Sequence, residues 1–122
     1  MVNAVRVPVE GTAAYPVTFT ASAALTQFIA EAPTYAGMDY DAANDRFFFY
    51  SGQGAGAGRV YVVTPNDGNI WDMSILTLGV GSVIPANPGG AGINNRLRYV
   101  PALGGFVLLA NGNSDLYFIR TS

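Results

Sequence analysis

The chain has 122 residues, half of them apolar and 11% charged, with fifteen glycines and seven prolines; that length predicts one domain, and the composition excludes a disordered polyampholyte in favour of a packed, turn-rich β protein. The net charge is −2, and all six basic residues are arginines with no basic cluster among them, which excludes a phosphate-tracking nucleic-acid surface. Histidine and cysteine are absent, which excludes Cys and His nucleophile–base systems, thiolate or imidazole metal sites and disulfides.

No apolar stretch approaches the roughly 18–20 residues of a membrane span, so no membrane partner is expected. The opening MVNAVRVPVEG lacks the continuous apolar core of a signal peptide. Ala4–Glu10 alternates, with Val5, Val7 and Val9 opposite Arg6, Pro8 and Glu10; this predicts a half-buried strand that Pro8 confines to an edge or an arm. Gly11–Ala14 reads as a turn. Pro16–Ala21 alternates again, Val17 and Phe19 against Thr18 and Thr20, as a second strand. Ser22–Glu31 fits two readings: a short helix capped by Ser22 with Leu25, Phe28 and Ile29 on one face, or an extended connection. Pro33 ends it in either case.

Gly37–Asp41 reads as a strand with Met38 and Tyr40 on one face and Asp39 and Asp41 on the other, followed by a tight turn over Ala42–Asp45. In Arg46–Ser51 alternation stops. Phe47, Phe48, Phe49 and Tyr50 are apolar on both faces, so this strand needs cover on both sides. Gly52–Gly58 is a glycine-rich loop, and Arg59–Thr64 is a second strand apolar on both faces. Pro65–Asn69, PNDGN, is a strong turn. Ile70–Leu76 alternates, with Trp71, Met73 and Ile75 opposite Asp72 and Ser74. Gly79–Asn95 is a long Gly/Pro/Asn connection. Arg96–Val100 alternates, Phe106–Ala110 and Leu116–Ile119 are apolar on both faces, and Asn111–Ser114 joins them.

The chain repeats itself. Met38-Asp39-Tyr40 matches Leu97-Arg98-Tyr99 and Phe47-Phe48-Phe49 matches Phe106-Val107-Leu108, both at a spacing of 59 residues; Val60-Tyr61-Val62-Val63 matches Leu116-Tyr117-Phe118-Ile119 at 56. One unit is a half-polar inner strand, two middle strands buried on both faces, and a half-polar outer strand. A four-stranded antiparallel sheet between similar sheets has that pattern: a β-propeller blade. The expected fold is therefore all-β, with about two blades per chain. Residues 1–33 supply strands that complete a blade, 34–78 form a full blade, 79–95 connect, and 96–122 form a second, incomplete blade.

The turn from Tyr40-Asp41 to Asp45-Arg46-Phe47, the Gly-containing loop after it, Val60-Tyr61-Val62, and the turn leading to Trp71 resemble a blade of the kelch/galactose-oxidase-like propellers. The resemblance runs from Thr34 to the end. The paired glycines of a kelch blade correspond to Ser51-Gly52 here, and Ala110-Asn111 stands there in the second unit. The copper site of the galactose-oxidase branch does not carry over, because its ligands include histidines. The resemblance implies that a closed ring needs at least four blades. Two blades leave large apolar faces uncovered, so the chain is expected to associate with itself, most simply as a trimer making a six-bladed ring. Pro16–Ala21 is expected to supply the second blade's missing fourth strand across chains. A piece of a longer propeller and a β-sandwich are the alternatives.

Candidate chemistry is sparse. Asp39, Asp41, Asn44 and Asp45 fall within seven residues, but the glycine and bidentate glutamate of a calcium loop are missing, so a turn is the preferred reading and no metal is assigned. Asp39 and its counterpart Arg98 are candidate channel-lining residues, paired between neighbouring blades. The glycine loop lacks the Gly-Lys-Ser/Thr and following helix of a phosphate loop. Gln53, Trp71, Asn94, Asn95, Asn111 and Asn113 are candidate contacts for a neutral glycan, Trp71 as a stacking platform. No pair of carboxylates is placed for acid–base work, so the expectation is a non-enzyme without cofactors. It is a self-assembling binding or structural scaffold, with a lectin or a virion or filament subunit as alternatives.

Overall fold

A computed structural model describes residues 4–6, 15–52, 54–83, 85, 92–113 and 115–121. In chain order these form β1 (Ala4–Arg6), β2 (Tyr15–Phe19), α1 (Ala23–Glu31), β3 (Gly37–Asp41), β4 (Arg46–Tyr50), β5 (Val60–Thr64), β6 (Ile70–Ile75), β7 (Leu97–Val100), β8 (Gly105–Leu109) and β9 (Leu116–Arg120). The protein is mostly β and has two open sheets. The first is an antiparallel meander β3–β4–β5–β6, extended by β2, which runs parallel to β6, and by β1 beyond it; the second is the meander β7–β8–β9.

The repeat seen in the sequence is a repeat of register. Tyr40 faces Phe47 across β3 and β4, as Tyr99 faces Phe106 across β7 and β8. Phe48 faces Val62 as Val107 faces Phe118, and Phe47 faces Val63 as Phe106 faces Ile119. Equal hydrophobic patterns select equal register even though the β4–β5 loop is longer than the β8–β9 loop, because a one-residue slip would turn every side chain to the wrong face.

The two sheets pack face to face. Phe48, Tyr50, Val60 and Val62 of the first meet Leu97, Phe106, Leu108 and Ala110 of the second, with Ile93 between them. The Phe48 and Phe106 rings lie 4.5 Å apart at 40°, within the tilted geometry aromatic pairs prefer. The sheets join along β3 and β7, where Gly37 bridges Asn94 in parallel and the Tyr99 N–H donates to Asp39 Oδ2 at 2.7 Å. On the opposite side, between β5–β6 and β9, they part.

In β3 the aspartate face is the inner one: Asp41 is fully buried, and Met38 and Tyr40 face outward, 59% and 39% exposed. Asp41 tolerates this place because its carboxylate accepts from Ala43 N (3.2 Å), Asn44 Nδ2 (2.8 Å) and Arg46 Nε (3.0 Å), so the desolvated charge is paired and hydrogen-bonded.

Ser22–Glu31 takes its helical option. Ser22 Oγ accepts from Leu25 N at 3.1 Å, and Ala32 closes the helix in the left-handed region, donating to Phe28 O. Phe28 packs edge-on against Phe49 and Tyr61, whereas Ile29 stays exposed. The segment expected to complete the second sheet instead joins the first. Thr18 and Phe19 pair with Ile70 and Trp71, the Thr20 N–H donates to Trp71 O at 2.9 Å, and the Phe19 ring meets Trp71 edge-on.

Phe48 fills the space between the sheets with no solvent contact. Phe48→Ala is expected to lower unfolding free energy by about 3–5 kcal/mol, read as a lower urea midpoint with an unchanged slope; a loss below about 1 kcal/mol would mean that the sheets do not share this core.

Candidate functional site

The parted side of the wedge is a cleft of about 630 Å³. Its walls are Tyr50, Val60 and Leu76 from the first sheet's side and Leu108, Tyr117 and Ile119 from the second, with Leu78 to Val83 across its mouth. The lining is largely apolar. Burial raises the pKa of the Tyr50 hydroxyl to about 12, helped by Tyr117. Beside the cleft runs β9, which among the described residues pairs with β8 alone. The Thr121 N–H donates to Gly104 O. By alternation the backbone groups of Leu116, Phe118 and Arg120 therefore turn away from β8 toward the open edge. In the first sheet, β6 occupies that position.

A polar network closes the other margin. Arg46 joins Asp41 to the second unit: its Nε donates to Asp41, its terminal nitrogen to Thr121 O at 3.0 Å, and its guanidinium lies 4.9 Å from the centre of the Phe48 ring. The Tyr99 hydroxyl donates to Asp41 as well. Burial pushes the Asp41 pKa up, but the hydrogen bonds from Asn44, Arg46 and Tyr99 outweigh it, and the carboxyl lies below its ordinary range. Asp39 and Arg98 meet here, Oδ2 to Nε at 3.7 Å, with Arg98 mostly in solvent.

A second buried carboxylate holds α1 on the sheet. Glu31 accepts from Arg59 Nε (3.0 and 3.2 Å), from the Tyr61 hydroxyl (2.5 Å) and from Gln27 Nε2 (3.0 Å). Here the glycine loop has its use: a Cβ on Gly56 would overlap Glu31 Oε2, and one on Gly52 would overlap the Tyr35 carbonyl. The loop is glycine-rich where α1 and the connection that follows it press against it. Burial pushes the Glu31 pKa up, and the bonds from Tyr61, Arg59 and Gln27 bring it below the ordinary carboxylate value. This cluster has a faint trace in the sequence, the pairing of Arg59 in a glycine loop with a lone Glu31 at a helix end.

The candidate glycan contacts do not assemble into one site. Trp71 lies half-buried at the far end of the first sheet, its ring stacked on Phe47 at 6.0 Å and met by the edge of Phe19. Asn94, Asn95 and Asn111 sit at the opposite end, where Arg96 donates to Ala110 O at 3.1 Å. Asn111 Oδ1 accepts from Asn113 N and shapes its own turn. Gln53 lies outside the described residues. The chain matches no known family model, no curated protein and no solved structure.

Both buried carboxyls have folded-state pKa values below their unfolded ones. The stability they contribute is therefore present above the ordinary values of 4.5 and 3.8 and is lost as pH falls through the folded values. Urea midpoints should hold from neutrality down to the carboxylate range and then decline. Glu31→Gln should start about 1.5–3 kcal/mol lower at neutral pH and decline less steeply; a variant with the wild-type slope would remove Glu31 from the account.

Proposed function

We propose that the chain is a non-enzymatic, propeller-type β module that assembles with copies of itself into a binding or structural scaffold. The observation that carries this is the open edge of β9 beside an apolar cleft, at the place where the first unit has β6. The four-stranded meander, the three-stranded repeat of its register and their face-to-face stacking along the inner strands support the blade reading, as does the resemblance to kelch-like propellers. The two buried carboxylates are taken up by hairpin and helix contacts, which supports a role without catalysis.

The missing fourth strand would come from the N-terminal segment of a second copy. β1 is the first sheet's outer edge. Val5 pairs opposite Pro16, which has no N–H, so the bonds to β2 run through Ala4 and Arg6 and the backbone of Val5 turns outward. Edge meeting edge in this way is a head-to-tail contact. It gives a ring where the rotation closes, with three chains supplying six sheets, and a filament where it does not.

Sedimentation at micromolar concentration should give a discrete mass above one chain, most simply three, and deletion of residues 1–14 should lower that mass while leaving the thermal melt of the two sheets in place. A chain that sediments as a monomer across the accessible concentration range would overturn the assembly reading. An unchanged mass after the deletion would remove the N-terminal segment from it.

A further inference from the structure

The repeat makes the two outward faces of the molecule comparable with its buried interface. On the second sheet the buried face carries Leu97, Tyr99, Phe106, Leu108, Tyr117 and Ile119. Their counterparts in the first unit are Met38, Tyr40, Phe47, Phe49, Tyr61 and Val63, and these lie on the first sheet's outer face. The likeness extends to geometry: Tyr40 and Phe47 are tilted at 4.9 Å and 42°, Tyr99 and Phe106 at 5.1 Å and 50°. Conversely, the first sheet's buried face, Asp39, Phe48, Tyr50, Val60 and Val62, corresponds to Arg98, Val107, Leu109, Leu116 and Phe118. These form the second sheet's outer face, where Leu116 is 67% and Phe118 45% exposed. The molecule thus carries on its two outsides both halves of the interface it buries inside, the first-sheet half partly under α1.

We propose that the outer face of the second sheet docks on the outer face of the first sheet of a second copy, repeating between chains the contact that Phe48 and Phe106 make within one. This rests on the self-assembly reading and adds the face-to-face contact without which the β9-to-β1 edge pairing does not hold the copies together. The occupant is a second copy of this chain because the charges fit as well as the shapes. Within the chain Asp39 of the first sheet meets Arg98 of the second. Across the proposed joint Arg98 takes the place of Asp39 and meets Asp39 of the next copy, the same pair with its signs exchanged.

Helix α1 fits this arrangement. The cleft inside the chain is lined by Leu108, Tyr117 and Ile119. At the equivalent place on the first sheet's outer face, Phe28 of α1 covers Phe49 and Tyr61. The helix fills, between copies, the gap that stays open within one. It leaves Met38 and Tyr40 exposed along the inner strands, where the sheets inside the chain approach most closely, with Phe47 half-buried beside them against Trp71.

The joint is heterologous, so two one-sided variants test it. Met38→Glu blocks the first-sheet face and Phe118→Glu the second-sheet face; Tyr40→Glu and Leu116→Glu form a second pair in case either of the first fails to fold, judged by circular dichroism and thermal melt. At a concentration where the wild type assembles, each variant alone should sediment at the mass of one chain. An equimolar mixture of a complementary pair should sediment at twice that mass through the one intact joint. A mixture that stays at one chain, or a single variant that keeps the wild-type mass, overturns the face-to-face joint and leaves self-assembly standing. A monomeric wild type overturns both.

Discussion

Phe48 against Phe106 is the contact on which the architecture rests. Each belongs to a middle strand of its meander, and each is fully buried. The strands that carry them do not alternate in polarity, so burying one face against the other sheet leaves an apolar face on the far side. In the first sheet that second face finds cover: Phe49 lies under Phe28 of α1, and Phe47 stacks on Trp71, itself met by Phe19. The N-terminal third of the chain is the lid that the lack of alternation demands. The second sheet has no such lid among the described residues, and Leu116 and Phe118 stand open.

Two carboxylates fix how the layers sit. Asp41 and Arg46 belong to one hairpin, yet the guanidinium reaches Thr121 O, and Tyr99 reaches the carboxylate. One ion pair therefore sets the first sheet's turn and the second sheet's position together. Glu31 does the same for α1 through Arg59 and Tyr61. Breaking either by removing one partner would strand a buried charge, a cost larger than the pair's net contribution. These pairs make the stacking specific, whereas the apolar area makes it stable.

The sequence carried the strands and their repeat almost to the residue, because β4, β5, β8 and β9 have dense apolar runs bounded by turn residues. It left open which face of β3 is buried. There Met38 and Tyr40 look like the residues to bury, but a buried aspartate is allowed when an arginine five residues on returns to it, and alternation alone does not register that bond. It also could not place β2. A short alternating strand fits any open edge, and the preference for β6 comes from Phe19 on Trp71, a contact between distant residues. The glycine loop was not legible as the seat of Glu31, since the need for a missing Cβ at Gly56 arises from a helix that was itself open between two readings.

The two units are unequal in the faces they leave in solvent. A sandwich of two half-buried sheets would show polar residues at alternate positions on its outer faces. Here Val107, Leu109, Leu116 and Phe118 continue the apolar pattern outward, at positions whose counterparts Phe48, Tyr50, Val60 and Val62 are core. At about 25 cal/mol per Å² of apolar surface, leaving such a face in water forgoes a stabilisation that the same sequence pattern secures once inside the chain. A translational repeat has no inside and outside of its own: whichever face a unit shows its neighbour behind, it shows the complementary face ahead. Two units satisfy one joint; the first sheet's far face is covered by α1 and Trp71, and the second sheet's stays open at Leu116 and Phe118.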